Sequence, residues 1–403
     1  MRGDKTEGVV IMSIFVPSMI GYLLGSMLPA YFLTRLILGI DIRSVGTFHA
    51  GTTNVFRVAG LWPAVVTAFY DTTKGILAIQ ISRAMGYPDW ASYLSGLCAV
   101  VGHVYPFYLQ FRGGKGAATT VGLLLFFLWH TWLKLPMRML LPDLLILLSM
   151  VLTIFWISRK GDVVGIFVLP ALEVVLWLRM GAKIWFAEVL IGILLYINLK
   201  NIVERKLIQF SGDVRKWRIL IRPVSILLIF LGFNMGRNSF LLLTGIVLGI
   251  FFLMDVIRLM SRRVGSFFHE EMNFKLFKEV ERKKISSMTL FLLGVLLTFL
   301  LFEKNIAVVS GCFLILGDLS AKVIGMSFGK RKFFEKTLEG SLAHLVVSIY
   351  VAYIAYIMNL MSLHVGFVGA ITATICEILP LSIDDNVSVP IFSALTMSLW
   401  KIL

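Results

Sequence analysis

Gly102-His103-Val104-Tyr105-Pro106-Phe107-Tyr108-Leu109-Gln110-Phe111-Arg112-Gly113-Gly114-Lys115-Gly116 joins two apolar runs, 90–110 and 116–133. A histidine, an arginine, a lysine and a glycine pair stand where one apolar helix ends and the next begins. Glycines at such a junction let backbone N–H groups close on an anion, and Arg112 and Lys115 add the charge that holds a phosphate. The plainer reading is a tight turn between membrane helices whose cations mark a cytoplasmic loop. A second glycine-rich polar segment upstream, expected on the same side of the membrane, favours the anion site.

Composition sets the class. Of 403 residues, 58% are hydrophobic and only 15% charged, with a mean hydropathy of +0.88. An ordinary soluble domain carries about 25% charged residues. Apolar runs near spanning length recur at 9–33, 116–133, 141–157, 184–199, 238–254, 287–302 and 341–360. Shorter or interrupted runs at 61–83, 90–110, 162–178, 219–233, 305–317, 364–381 and 387–402 bring the expectation to about fourteen helices. The fold expected is an all-α polytopic membrane protein of two bundles, each of about seven transmembrane helices.

The net charge of +15 then reads as topology. Basic residues gather in alternate loops: Arg35, Arg43 and Arg57; Arg112 and Lys115; Arg159 and Lys160; 200–222; 258–284; and 322–336. The positive-inside rule makes these loops cytoplasmic and puts the N-terminus outside a cytoplasmic membrane. Lys134, Arg138, Arg179 and Lys183 fall on the other side and weaken the pattern without reversing it. Nucleic acid is excluded as a partner because no domain offers it a surface; membrane lipids with anionic headgroups are the counter-charge. Cys98, Cys312 and Cys376 lie far apart in apolar runs, which argues against a disulfide framework or a zinc site. The first apolar run is too long for a cleavable signal peptide, so the first helix is expected to stay in the membrane.

The chain divides into residues 1–206, a cytoplasmic linker and connecting helix at 207–237, and residues 238–403. Seven basic residues over 200–222 and Ser211-Gly212-Asp213 mark the linker. A polar insert at Ser261–Ser287 reads as an amphipathic surface helix. The polar motifs of the two halves share no pattern, which points to two activities on one chain rather than a transporter of duplicated halves.

Two further polar constellations lie in the first half. Gly39-Ile40-Asp41-Ile42-Arg43, Gly46-Thr47-Phe48-His49-Ala50-Gly51-Thr52-Thr53-Asn54 and Arg57 supply small residues, hydroxyls, an amide and two arginines able to wrap a phosphorylated substrate. Asp71 and Lys74, at i and i+3 inside an apolar helix, share a face and can pair. Together with 102–119 these motifs resemble the bacterial acyl-phosphate:glycerol-3-phosphate acyltransferases, small membrane enzymes of about seven helices. Gly25-Ser26-x-x-Pro29, Gly39-x-Asp41-Ile42-Arg43, Gly51-x-Thr53-Asn54, Arg57, Gly60, Asp71-x-x-Lys74-Gly75 and the whole of 102–119 match in order and spacing, over about residues 10–206. The resemblance implies transfer of an acyl group from acyl phosphate to the 1-hydroxyl of glycerol 3-phosphate, giving lysophosphatidic acid in phospholipid biosynthesis, with no cofactor. It departs at Phe48-His49, where the family has small residues. Ser158 and Gly161 stand for a serine pair, and Asn198-Leu199-Lys200-Asn201-Ile202 stands where a histidine and an arginine are usual; His49 and Lys200 are candidate compensations.

Acyl phosphate is already activated, so the protein must bind two phosphates, align a hydroxyl and stabilise an oxyanion. The resemblance assigns phosphate binding to Arg43, Arg57, Lys74, Arg112, Gly113, Gly114, Lys115 and Asn201. Thr47 and Asn54 would orient the acceptor, and His103 would act as base or, equally, pack as a structural hydrogen-bonder.

In the second half, Gly317-Asp318-Leu319-Ser320-Ala321-Lys322, Gly325, Gly329-Lys330 and Lys336-Thr337-Leu338-Glu339-Gly340 precede Glu377 and Asp384-Asp385-Asn386. Carboxylates beside a glycine- and lysine-rich loop suit metal-assisted phosphoryl transfer. The segment resembles the CTP-dependent polyprenol, phytol and diacylglycerol kinases over about residues 238–402. That resemblance implies CTP and a lipid alcohol as substrates, with Asp318 holding Mg²⁺ and Lys330, Lys336, Glu339, Asp385 and Asn386 at the nucleotide. The competing readings are a kinase with a degenerate acyltransferase half, and a non-enzymatic transporter. Transporters concentrate binding groups near the membrane midplane, whereas these motifs gather at helix ends.

Overall fold

The computed structural model describes residues 3–207, 225–260 and 284–402. Most of the expected linker and nearly all of the insert at Ser261–Ser287 therefore lie outside the described residues. The described chain is almost entirely helical, and six of its segments are long and apolar enough to cross a membrane: Met12–Leu38, Met137–Ser158, Gly161–Glu204, Arg237–Met260, Lys304–Phe328 and Leu338–Ile357. This is a polytopic all-α membrane protein.

It falls into two compact units. The first comprises residues 1–144 and 165–204, the second 145–164 and 205–403. The stretch 145–164, which the sequence reading kept with the first half, groups with the second unit.

The first unit is built from α1 (Gly3–Ser26), α2 (Pro29–Leu38), α3 (Thr52–Ala59), α4 (Leu61–Ala84), α5 (Asp89–Val104), α6 (Ala117–His130), the outer part of α7 (Met137–Ser158), most of α8 (Gly161–Met180) and α9 (Trp185–Glu204). Proline at the first turn of α2 has no N–H to leave unsatisfied, and Gly39 ends the helix in the left-handed region at φ +69°. α1 and α5 pack backbone to backbone. A Cβ on Gly21 would stand 1.9 Å from the Ser95 carbonyl oxygen, and one on Gly25 2.1 Å from that of Ala99. Such small-residue stripes let membrane helices associate without a hydrophobic driving force. Arg179, one of the cations off the positive-inside pattern, forms an ion pair with fully buried Asp143 at 2.9 Å. Pairing explains why it departs from the loop pattern.

The second unit begins its own set with α10 (Ser225–Asn234), α11 (Arg237–Met260) and α12 (Ser287–Leu301). Buried Asp255 on α11 accepts from Arg258 at 2.8 Å, from the Ser286 backbone N–H at 2.8 Å and from the Thr289 hydroxyl at 2.7 Å. It thereby closes the start of α12. α13 (Lys304–Cys312) runs through a π-turn at Phe313–Gly317 into α14 (Asp318–Phe328). A two-stranded antiparallel hairpin, β1 (Lys332–Phe333) and β2 (Lys336–Thr337), leads to α15 (Leu338–Ile357), α16 (Leu363–Ile378) and α17 (Asp385–Ile402). Phe313, Leu314, Val351, Ala352, Ala370, Ala373, Ala394 and Met397 form the buried core of these helices.

Candidate functional site

The three constellations of the first unit meet. Arg43 is the middle residue of a single turn, Ile42–Ser44, capped by Asp41. Its guanidinium grips the Asp41 carboxylate through Nε and Nη2, and Nη1 donates to the carbonyls of Leu109 at 2.7 Å and Arg112 at 3.2 Å. The hydrogen bonds to Arg43 hold the Asp41 carboxyl below the usual carboxylate range, and Asp41 in turn raises the Arg43 guanidinium. Arg43 thus braces the first loop against the 102–116 turn. Most of the donors of this residue, expected at phosphate, are engaged by Asp41 and by the 109 and 112 carbonyls.

Asn54 is 1% exposed. Its Nδ2 donates to the carbonyls of Ile42, Val45 and His49, and its Oδ1 accepts from the Thr47 N–H at 2.8 Å. Every amide group faces the loop backbone, so Asn54 organises the loop instead of orienting an acceptor. The Thr47 side chain it positions is half-buried and its hydroxyl makes no hydrogen bond within the described protein.

Gly113 and Gly114 also serve differently from expectation. Their N–H groups donate to the carbonyls of Val104 at 2.9 Å and His103 at 3.1 Å, closing the C-terminus of α5. They are therefore unavailable to phosphate. The glycines are required by close approach: a Cβ on Gly113 would lie 2.1 Å from the His103 carbonyl oxygen, and one on Gly114 2.1 Å from His103 Nε2 and 2.6 Å from the Ala50 carbonyl oxygen. The same clearance shows that the 46–51 loop and the 113–116 turn touch.

Beneath them lies a buried charge cluster. The Lys74 ammonium donates to Asp71 Oδ1 at 2.8 Å and to the Met27 carbonyl at 3.3 Å, and meets His103 Nδ1 at 2.8 Å. All three side chains are at most 2% exposed. His103 Nδ1 also lies 3.3 Å from Asp71 Oδ1, so the ring shares one buried cluster with both the ammonium and the carboxylate, and which of the two it pairs with sets its tautomer. The cluster places His103, expected as base or as structural hydrogen-bonder, and Lys74, expected at phosphate, together within the buried interior of the unit.

What remains open at this junction is the start of two helices. Neither α3 nor α6 has a side-chain N-cap, so no cap side chain satisfies the first N–H groups of either helix, although the Asn54 N–H turns back to the Gly51 carbonyl at 3.0 Å. Thr52, at the first position of α3, and Thr119, at the third of α6, have buried hydroxyls with no hydrogen-bond partner. Lys115 precedes Gly116, the N-cap of α6; its ammonium meets Asn201 Oδ1 at 2.5 Å and Glu204 at 3.7 Å, tying the turn to α9. Arg57 and Arg112 are exposed on the flanking elements, and the Lys200 side chain, half-exposed, reaches only Glu204 at 3.9 Å. Ser158 accepts from the Lys160 N–H at 3.2 Å, a local turn. Asp41, Thr52 and Thr119 were not assigned roles from sequence. A threonine directly after glycine at a helix start was the available signal for Thr52.

In the second unit, Lys336 meets Asp385 at 2.8 Å and Glu377 at 3.1 Å, so three elements converge. Burial alone would lower the Lys336 ammonium, but the two carboxylates outweigh it and hold the group above its ordinary value. Glu339 accepts from the Lys330 and Arg331 backbone N–H groups at 3.0 and 3.3 Å and serves the loop, not a nucleotide. Asn386 donates to Asp384 at 2.7 Å within its own turn. Asp318, directly after the π-turn, pairs with Lys322 at 3.1 Å. His344, which the sequence reading passed over, is fully buried beside Gly317, with Nδ1 on Thr374 at 2.9 Å. Among the described residues no three metal-ligating side chains lie together. Lys322 balances Asp318 and Lys336 balances both Glu377 and Asp385, while Glu339 and Asp384 accept from N–H groups of their own turns.

The fold and site thus define an integral membrane protein whose first unit gathers cations, uncapped helix starts and free hydroxyls at one polar junction. The family model described as glycerol-3-phosphate acyltransferase matches residues 15–208. A glycerol-3-phosphate acyltransferase of Pseudomonas putida is 32% identical over 198 residues, 49% of this chain and 96% of the relative. One of Thermus thermophilus is 48% identical over 108 residues, 27% of this chain, and that match spans 54% of the relative, about half its length. A crystal structure of PlsY (YgiH), an integral membrane glycerol 3-phosphate acyltransferase in its glycerol 3-phosphate form, aligns over 48% of this chain and 92% of its own with 28% identity and a TM-score of 0.37. The chain belongs to the glycerol-3-phosphate acyltransferase family through its first half.

Proposed function

We propose that the first unit transfers an acyl group from acyl phosphate to the 1-hydroxyl of glycerol 3-phosphate, releasing lysophosphatidic acid and inorganic phosphate. The observation that carries this reading is the close approach of the 46–51 loop to the 113–116 turn, which lead into two helices without side-chain N-caps, each with a partnerless buried threonine hydroxyl in its first turn. Helix starts attract anions, and two of them suit a reaction that handles two phosphates. Lys115, held by Asn201, neutralises one phosphate; Arg57 and Arg112 supply charge at the rim. Thr47, fixed through its N–H by Asn54, is free to hydrogen-bond the acceptor.

The hydroxyl oxygen of glycerol 3-phosphate attacks the acyl carbon, the acyl C–O bond to phosphate breaks, and the departing phosphate takes the hydroxyl proton. Phosphate monoesters have a second pKa near 6, so such a group is a competent acceptor at neutral pH. This route needs no protein base, in keeping with a His103 enclosed in the buried cluster. The polar junction is assigned to the cytoplasmic side, with the N-terminus outside, from the basic loops. Incubating the purified protein with acyl phosphate and labelled glycerol 3-phosphate tests the reading. Absence of labelled lysophosphatidic acid, with the protein folded, would remove it.

For the second unit we propose phosphoryl transfer from CTP to a lipid alcohol, supported by the convergence of Lys336, Glu377 and Asp385 and by a π-turn just before Asp318. π-turns inside helices recur at functional sites. The test is CTP-dependent labelling of a diacylglycerol and prenol panel by the full chain. No labelled lipid leaves this unit without phosphotransferase activity.

A further inference from the structure

Between two membrane-spanning segments, Lys304–Phe328 and Leu338–Ile357, only residues 329–337 intervene. A connection that short keeps the hairpin at the membrane surface. Its sequence, Gly329-Lys330-Arg331-Lys332-Phe333-Phe334-Glu335-Lys336-Thr337, is basic and aromatic. The base is tied down: Glu339 holds the Lys330 and Arg331 N–H groups, Leu338 N–H donates to the Arg331 carbonyl, and Lys336 is clamped by Glu377 and Asp385.

The tip is not. Residues 329–335 are all exposed. Phe333 and Phe334 are 50% and 57% exposed and touch each other edge to face. Phe334 sits at φ +55°, a backbone region that bulky residues rarely adopt. Among the described residues, no acidic side chain forms an ion pair with Lys330, Arg331 or Lys332, and Glu335 is the only acid in the hairpin. A rigid base thus presents two aromatic rings and three cations outward, where the chain cannot leave the bilayer surface.

We infer that this hairpin is an anionic-lipid clamp: the two phenylalanines enter the interfacial layer while Lys330, Arg331 and Lys332 bind lipid phosphate. Aromatic rings favour the headgroup level, and cations near an anionic leaflet gain with each added charge. Long basic stems lie along the apolar boundary with their charges in the headgroups. The inference does not rest on phosphotransferase activity.

The test uses the full chain in nanodiscs of phosphatidylcholine with or without phosphatidylglycerol, with hydrogen exchange of the 329–337 backbone as readout. Phosphatidylglycerol is expected to slow exchange about tenfold, an effect of the size three surface cations can supply, and high salt should reverse it. A Lys330→Gln/Arg331→Gln/Lys332→Gln variant should lose the lipid dependence, and Phe333→Ser/Phe334→Ser should lose protection in both lipids. Equal exchange in the two lipids would overturn the inference. So would protection by pyrophosphate in phosphatidylcholine discs without any response to phosphatidylglycerol, which would assign the cations to a soluble polyphosphate.

Discussion

The two units draw on the same residues, glycines, lysines and aspartates at helix ends, yet use them in opposite ways. In the first, Arg43, Asn54, Lys74 and His103 are locked onto backbone or one another. That leaves two helix starts, two buried threonine hydroxyls and the Thr47 side chain uncommitted. In the second, Lys336 with Glu377 and Asp385, and Lys322 with Asp318, neutralise each other. A site for an anion needs donors that the protein has not already satisfied.

The contrast is most sharply broken at Lys74. Lys74→Met leaves Asp71 buried without its cation, and removing one partner of such a pair costs about 3–5 kcal/mol. Thermal unfolding of purified protein in detergent should show this loss, whereas Lys115→Met should shift it little. Equal shifts would place Lys74 and Lys115 in the same class.

Next in size is Gly114→Ala. The added methyl meets the His103 ring and the Ala50 carbonyl, so the two loops must separate. Displacing a reacting group by about 1 Å costs about a hundredfold in rate, and acyl transfer should fall accordingly with a smaller change in stability. Unchanged kinetics would mean that the contact between the loops is dispensable.

Lys115→Ala and Asn201→Ala sharpen the comparison from the side of binding. A hydrogen bond to a charged group is worth about 1.5–3 kcal/mol. Lys115→Ala should therefore lower kcat/KM by tenfold or more, with Asn201→Ala weaker because it only positions the ammonium. The reverse order would make Asn201 the direct ligand.

The smallest effects are in pH. Lys336 is held above its unfolded value, so its contribution is full below the ordinary lysine pKa of about 10.4 and is lost as pH rises through the raised value. Asp41 is held below its unfolded value, so its contribution is present above about 3.9 and disappears as pH falls through the lowered one. Lys336→Met should flatten the alkaline limb of the unfolding profile, and Asp41→Asn the acid limb. Unaltered limbs would mean that neither pair is maintained in the folded protein.

The sequence by itself determined the membrane class, because helices in a bilayer must satisfy their own backbone and apolar length reports directly on spanning. It also marked Asp71-x-x-Lys74 and 102–119 as segments that are polar where polarity is costly. The pairing of Lys115 with Asn201 was legible as membership of one group, though not as a contact. Only the tertiary structure decided roles. Whether the Gly113 and Gly114 N–H groups face a ligand or α5, whether His103 has a free nitrogen, and whether Arg43 holds phosphate or a loop all depend on partners far away in the chain. Hydrogen-bond satisfaction is a property of three-dimensional neighbours: each N–H or O–H has one proton to give, and the fold determines which acceptor receives it.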